Sequence, residues 1–458
     1  MRLRPLSNAY SVYLFIECAY ALFNGVYSTM VVVYRVQAAH LNPLQLVLVG
    51  TMLEGTIFLC QVPTGALADT FSRRRSVIIG MLLTGVGILL QGAFIYFWTI
   101  LCAQVLWGLG YTFISGAEEA WLADEIGVEA AGKAYLRASQ LSQGVGIAGI
   151  VISVALGSIR LSLPILVAGG LFLALGAALI VIMPEHGFHR VSAAQATTTS
   201  GVLLPPLEQP AKVAALADQP GAPNSLSNWA ALRRTLAQGW RLMRHSPILL
   251  TILGITLIWG MSSEGFDRLG EVHMLIDIHL PALGPFNSVV TWFGIFSLGS
   301  TLLTIGVVEV ILRRVNTNTH QSVARALFAA TGLLTISVMV FGLTGNFALA
   351  LALYWLIMTI RGVSNPLSIA WVNQNTDSRV RATVLSLTGQ ADALGQIAGG
   401  PIVGVIGEFV ALRAAIVTAG AALSPALLLF ARALGQRHGA EQPLVADEVG
   451  VVDEVTSI

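Results

Sequence analysis

Ionisable and amide side chains recur inside long apolar runs of this chain, where each needs a physical reason to be there. Glu17, Asn24, Glu54 and Gln104 lie in the first half, and Glu264, Asp267, Arg268, Arg361, Asp392 and Gln396 in the second. A charge at the centre of a bilayer costs about 3 kcal/mol on insertion scales, so such groups usually face a bundle interior or a water-filled passage. In that setting Glu17 and Glu54 are the first-half carboxyls suited to load and release a proton near neutral pH. Asp392 and Gln396 are four residues apart and share a helix face. Arg361 is expected at comparable depth, which makes an Arg361–Asp392 pair the economical arrangement, either as a structural bridge or as part of a substrate or coupling site. Glu264, Asp267 and Arg268 fall close together near the expected outer end of the seventh helix, as a local gate or an interfacial ion pair. Glu118 and Glu119 sit near an expected interface, where solvated carboxylates are the default. Trp107, Tyr111, Trp259, Trp292, Tyr354 and Trp355 are candidates for an aromatic wall, which would suit a large apolar or cationic solute.

These groups need long helices to hold them. Of 458 residues, 55% are hydrophobic and only 11% charged, against about 25% charged in a soluble domain. Lipid is therefore the expected solvent. A spanning helix takes about 20 mostly apolar residues, and twelve segments qualify: 9–34, 44–68, 76–97, 98–121, 137–158, 161–183, 247–271, 285–311, 322–343, 346–369, 382–406 and 410–434. Their length and continuity exclude barrel strands of about 10 alternating residues. The fold class expected is all-α membrane protein, with twelve transmembrane helices in two pseudo-symmetric six-helix bundles, 1–183 and 247–434. Residues 184–246 carry Pro205, Pro206, Pro210, Pro220 and Pro223 and read as a linker. Its last part, Trp229 to Arg244, has the pattern of an amphipathic helix lying on a membrane. The acidic tail 435–458 reads as disordered. An offset of 250 places Ala120-Trp121 on Ala370-Trp371 and Ile147-Ala148-Gly149 on Ile397-Ala398-Gly399, which supports duplication of a six-helix unit.

Between the second and third segments runs Gly65-Ala-Leu-Ala-Asp69-Thr-Phe-Ser-Arg73-Arg74-Arg75. Three consecutive arginines hold this turn on one side of the membrane. Most other Lys and Arg fall on the same side, leaving chiefly Arg35, Arg160 and Arg413 opposite. By the positive-inside rule both termini and the linker are expected in the cytoplasm. The Gly-x-x-x-Asp-x-x-x-Arg-Arg pattern resembles the signature loop between helices 2 and 3 of the major facilitator superfamily. That resemblance covers roughly residues 9–434 and implies the major facilitator fold, with helices 3, 6, 9 and 12 at the periphery. Those four segments are nearly bare of polar groups, Gln91 being the main exception. By the same resemblance Gly65, Asp69, Arg73, Arg74 and Arg75 form a conformational latch. Its arginines meet Asp124 and Glu125 at the end of helix 4, and Asp69 meets the start of helix 11 near Arg381. Gln104 stands where many members carry a proton-coupling arginine. Gly400-Pro401-Ile402-Val403-Gly404 is similar to, but shorter than, an antiporter motif that the family carries in helix 5; as packing it reads as a close helix crossing.

Within the superfamily the chain most resembles the bacterial drug-efflux (drug:proton antiporter) branch. That resemblance implies a secondary transporter of the cell membrane that moves drug-like or amphipathic compounds outward by alternating access, coupled to protons. Uptake of a sugar or other metabolite, and a non-transporting receptor, are the alternatives. No phosphate-cradling loop is present, and no nucleophile elbow or paired metal ligands point to an enzyme. Cys18, Cys60 and Cys102 have unrelated spacings, so neither a metal site nor a cofactor is expected. His273 and His279 are expected to be solvated in an outer loop. The partners expected are lipid, a small-molecule solute and protons, with no nucleic acid, and the chain is expected to be a monomer.

Overall fold

The computed structural model describes residues 8–187, 247–284, 288–314, 320–376 and 381–435. The expected linker beyond residue 187, with its amphipathic helix, and the tail after residue 435 lie outside the described residues. Those described are built from helices: α1 (Asn8–Val33), α2 (Pro43–Thr70), α3 (Arg73–Ala93), α4 (Phe97–Ile114), α5 (Ala117–Ile126), α6 (Val128–Ile159), α7 (Leu163–Ile182), α8 (Pro247–Ile276), α9 (Ser288–Arg314), α10 (His320–Leu343), α11 (Phe347–Gln374), α12 (Arg381–Phe409), α13 (Leu412–Ala421) and α14 (Ser424–Gly435). Among the described residues, eleven spans are long and apolar enough to cross a bilayer. The other expected segment, α12, is long enough at 29 residues. It reads as less apolar because Thr388, Gln390, Asp392 and Gln396 occupy it.

Local chemistry sets the boundaries. Asn42 caps α2 by accepting from the Gln45 amide at 2.8 Å while Gln45 reaches back to Asn42, and Pro43 supplies a pre-bent first residue. Ser72 caps α3 by accepting from the Arg75 amide at 3.0 Å. Gly116 has φ +78°, a conformation favoured by glycine, and it breaks the expected fourth helix into α4 and α5. The expected twelfth helix is likewise interrupted at Ala422–Leu423. α6 starts at Val128, ahead of the expected 137, so Lys133 lies on a helix. Arg35 was expected in a loop. Instead a turn of π-helix, Tyr34–Ala38, prolongs α1 and buries it.

Within each group of helices the same neighbours recur. α1 packs on α6 as α8 packs on α12, and α3 on α4 as α10 on α11. α3, α7, α10, α13 and α14 pack only within their own group among the substantial contacts, so the apolar third, sixth, ninth and twelfth segments are peripheral. Contact between the groups is made by α2 with α12 and α8, by α6 with α9, and by α1 with α8 and α9.

These contacts are concentrated at one end. One buried cluster belongs to the first group and includes Ile16, Trp121 and Phe172. A second belongs to the other group and includes Leu249, Trp371 and Phe430. The third cluster joins both groups through Met30, Val47 and Val49 on one side and Leu269, Val290 and Phe293 on the other. All of these lie away from the loop bearing Arg73 to Arg75. At this far end Gly400 and Gly404 of α12 press against Val47 and Leu44 of α2, while Gly395 and Gly399 lie against the α8 backbone at Leu257 and Met261. Toward the arginine end the buried apolar clusters stay within one group each, and among the described residues the side-chain hydrogen bond between the groups on that side is the long contact from the Gln390 amide to Gln61 at 3.4 Å. The groups are thus packed together at the far end and apart at the arginine end.

Candidate functional site

The gap between the groups is lined by side chains that an apolar core would not tolerate. α8, α11 and α12 enclose a cavity of about 690 Å³ with Trp259, Asp267, Arg361, Asn365, Asp392 and Gln396 on its wall. A neighbouring space of about 390 Å³ is lined from the first group by Tyr20, Glu54, Gln61, Trp107 and Tyr111, and from α12 by Asp392. Gly389 and Asp392 belong to both walls, so the two spaces adjoin. Both volumes suit a small-molecule site, typically about 300–1,000 Å³.

Arg361 does not meet Asp392. It makes a two-pronged pair with Asp267, at 2.5 and 2.7 Å, and lies 5.8 Å from the Phe266 ring centre. The reason is depth. The backbone of Asp392 abuts Gly260 of α8, and Asp267 is two turns further along, about 10 Å at 1.5 Å per residue. Asp392 is left with Gln396, whose amide donates to it at 2.8 Å. Glu54 faces the same cavity with no hydrogen bond or ion pair among the described residues. Two carboxyl groups from opposite helix groups therefore look onto shared space, and neither is ion-paired among the described residues.

Glu264 and Arg268 pair at 2.9 Å, as their spacing of four allows. The pair is not interfacial, because Glu264 is 0% exposed. It is wedged at the crossing with α2, where a Cβ on Gly50 would run into both side chains. One turn beyond Asp267, Glu271 accepts from the Tyr354 hydroxyl at 2.9 Å. Sequence reasoning missed Glu271, although Glu264, Asp267 and Glu271 recur at the spacing of one helix face.

Arg35 is 5% exposed and has no carboxylate partner among the described residues. It donates to the Gln91 side chain at 2.8 Å and to the Tyr27 hydroxyl at 3.2 Å. Gln104 donates to the same Gln91 oxygen at 2.9 Å, so Gln104 supports a buried network instead of lining the cavity. Arg35, Asp267, Arg268 and Glu271 border a chamber of about 170 Å³ between the groups. It adjoins, through Ser28, a space of about 360 Å³ lined by Asn24, Ser142, Gln143, Ser297 and Ser300 among others.

The remaining candidates fall elsewhere. Glu17 accepts from Tyr13 at 3.1 Å inside the first group. Glu118, expected to be solvated, is buried with one oxygen unpartnered, whereas Glu119 accepts from the Gly116 amide at 3.1 Å. Trp292 packs against Phe347 and donates to the Pro281 carbonyl at 2.9 Å, an anchor at the far end. His273 is 0% exposed, contacts Asp277 at 2.8 Å and meets Phe341 edge-on, so it is a core residue and not a solvated one; His279 is exposed as expected.

At the arginine end, Arg73 pairs with Asp124 at 2.5 Å and with Asp69 at 3.2 Å, and donates to the Ala120 carbonyl at 2.9 Å. Asp69 is 56% exposed and holds Arg73, not the start of α12 near Arg381, because the groups are apart here. Gly65 has open space around it. Glu125 accepts from the His186 and Gly187 amides at 2.6 and 2.7 Å in place of the arginines. The Arg74 guanidinium donates to the Ile180 carbonyl, its amide to Glu185 at 3.2 Å, and Arg75 is exposed.

Comparison with known proteins bears on this arrangement. The family model described as Major Facilitator Superfamily matches residues 13–400. No curated protein matches the sequence. Among solved structures, the nucleoside transporter NupG superposes with TM-score 0.67 at 12% identity, covering 94% of this chain and 100% of that one. The peptide transporter POT in complex with sulfate gives 0.66 at 15% identity, covering 94% and 96%. A POT family transporter in complex with a thioalcohol-conjugated peptide gives 0.65 at 13%, covering 93% and 96%. At these identities the likeness establishes the fold alone.

Proposed function

From a chain that belongs to the major facilitator superfamily, we propose a secondary active transporter that carries an amphipathic, cationic organic solute outward through a membrane in exchange for protons. One observation carries the reading: Glu54 and Asp392, on opposite helix groups, face a shared cavity and neither is ion-paired among the described residues. Unpaired carboxylates in a space walled by Tyr20, Trp107, Tyr111 and Trp259 favour a solute that brings a positive charge and an apolar body. When no solute is present, protons satisfy the same carboxyls. Competition between proton and solute for one pair of groups couples the two fluxes without any further machinery.

Alternating access supplies the movement. The groups are packed at the far end and parted at the arginine end. In the orientation favoured by the positive-inside rule, this state is open to the cytoplasm, both termini are cytoplasmic, and the membrane is the cell membrane. Closing the arginine end would bring Asp69 toward α12, which gives the Gly65–Arg75 loop its latch role. Glu17 lies outside the described cavity walls, so the coupling role rests on Glu54 and Asp392. The chain acts in this reading as a carrier and not an enzyme.

Purified protein in liposomes loaded with tetraphenylphosphonium provides the test. An inwardly directed proton gradient should drive the cation out, and Glu54→Gln or Asp392→Asn should abolish the gradient's effect while the protein still folds. Gradient-driven flux that is unchanged in both variants would defeat the proposal. Uptake of a neutral metabolite without proton dependence would favour the permease reading.

A further inference from the structure

Glu54 is unpaired, yet a cation lies close by on the opposite helix group. Gly50 stands one turn before Glu54 on the same face of α2. A Cβ at Gly50 would run into the Nε and Cζ atoms of Arg268, so the guanidinium rests directly on α2. About 6 Å along the helix axis separates the two positions. A helical side chain leans over the turn before its own Cα, so a rotation of the Glu54 side chain brings its carboxylate toward that guanidinium. Arg268 commits only its Nε, which donates to Glu264 at 2.9 Å. Its two terminal amino groups have no partner among the described residues, and the side chain borders the chamber of about 170 Å³ between the groups. Arg361, by contrast, holds Asp267 with both prongs. Arg268 is also tied to its place. The Glu264 carboxylate is fully buried and has no other partner among the described residues, and stripping the cation from it is strongly unfavourable. A guanidinium carries five donors in a fixed fork, so one edge can stay on Glu264 while the other serves a second carboxylate.

The geometry points to Arg268 as a positioning residue for exchange: when Glu54 carries neither proton nor solute, the free edge of Arg268 takes its carboxylate and pins α2 to α8 across the seam at the far end. The inference rests on the transport reading and deepens it. Arg268 then stands in for the positive charge of the solute, so the empty carrier stays open at the arginine end, and only a carrier loaded with proton or solute rocks. The sign follows from the charge. The pin forms as pH rises and Glu54 ionises, and it is lost as pH falls. The charges acting on Glu54 are Glu264, Asp267 and Arg268 of α8 and Asp392 of α12, and Arg268 is the one cation among them. Tyr111 of α4 and Tyr20 of α1 line the same space. Asp69, Arg73 and Asp124 pair with one another at the other end of α2.

The test uses the full chain in lipid nanodiscs with Cys18, Cys60 and Cys102 changed to alanine. Spin labels go on Trp98→Cys and Phe409→Cys, exposed positions at the far end of the two groups, and their separation is read by double electron–electron resonance. Without solute, the far end should be shut in mildly alkaline buffer and open increasingly in acid. Arg268→Gln should raise the open share in alkaline buffer about tenfold, the effect of losing a hydrogen bond to a charged group, and should flatten the pH response. Arg268→Lys should restore part of that response. Glu264→Gln should keep it, because Arg268 remains available to Glu54. Glu54→Gln keeps the test decisive should Arg268→Gln fail to fold: it should open the far end to the same extent, and a response unchanged from the parent overturns the inference. An unchanged response in Arg268→Gln does so too, as do Glu264→Gln and Arg268→Gln behaving alike, which would make Arg268 only a structural partner of Glu264. Tetraphenylphosphonium flux in liposomes separates the two readings. Flux that stays tightly proton-coupled in Arg268→Gln overturns the pin and leaves the transport reading standing. The expected distance pattern with no flux supports the pin and refutes the transport reading.

Discussion

Breaking the Asp267–Arg361 pair is the sharpest test of how the second helix group is held together. Both bonds are charge-assisted and joined in the fork geometry that arginine offers a carboxylate. Removing one partner of a fully buried pair costs about 3–5 kcal/mol, and an exposed pair contributes about 1 kcal/mol or less. With side chains 23% and 34% exposed, this pair stands between those limits, near about 2 kcal/mol. Asp267→Asn leaves the Arg361 guanidinium with only the Phe266 face, and Arg361→Gln leaves the carboxylate without its cation. At about 2–4 °C per kcal/mol for a unit of this size, each single variant should melt about 4–8 °C lower. Tryptophan fluorescence of the protein in nanodiscs reads this directly. The double variant should recover at least half of the summed loss, since the two losses are one interaction counted twice. The exchanged pair, Asp267→Arg with Arg361→Asp, should recover more. Losses that simply add in the double variant would refute the reasoning, as would single variants that melt within about 1 °C of the parent.

Other outcomes follow from the same geometry. Glu54→Gln and Asp392→Asn should each cut proton-driven tetraphenylphosphonium flux at least about tenfold with little change in melting temperature, because neither carboxyl holds the fold together; a large loss of stability would argue against a transport role. Gln91→Ala removes the acceptor nearest the Arg35 guanidinium and should cost about 1–3 kcal/mol; an unchanged melting curve would mean that Arg35 finds water instead. Gly50→Ala places a methyl group where Glu264 and Arg268 sit, so the far end should loosen. A cysteine substituted at the fully buried Val47 should then react faster with a maleimide, and no change in rate would count against that crossing as the closure. Asp124→Asn weakens the pair with Arg73, but Arg73 keeps Asp69 and the Ala120 carbonyl as partners, so the melting temperature should fall by less than in Asp267→Asn, about 1–4 °C.

The helices were legible because a bilayer demands long apolar runs and polar residues cannot hide in them. The bareness of α3, α7, α10, α13 and α14 told where lipid would be. Depth was harder. Arg361 and Asp392 are each placed along their own helix by sequence, but the offset between neighbouring helices comes from packing, and it brought Arg361 to Asp267. Arg35 read as a loop cation because nothing in the sequence announces a π-turn that carries α1 one turn further. His273 and Glu118 read as solvated because both lie near segment ends, and the added length of α8 and the α4–α5 break bury them. Asn24 was singled out as an amide in an apolar run. The serines and threonines around it were not, since such residues usually bond their own helix, as several do here. Only the surface they build together distinguishes them.

The glycines of α12 give its two faces different duties. Toward α8, Gly395 and Gly399 let two backbones seat against each other, which makes those helices travel as one rod. Toward α2, Gly400 and Gly404 oppose Val47 and Leu44, and that seam joins the two groups that the proposed alternating access would rock. Only the α2 side of that seam carries side chains, so less has to unmesh there than between two knobbed surfaces. Bulk added at Gly404 would act as a detent, slowing each turnover while the machine remains assembled.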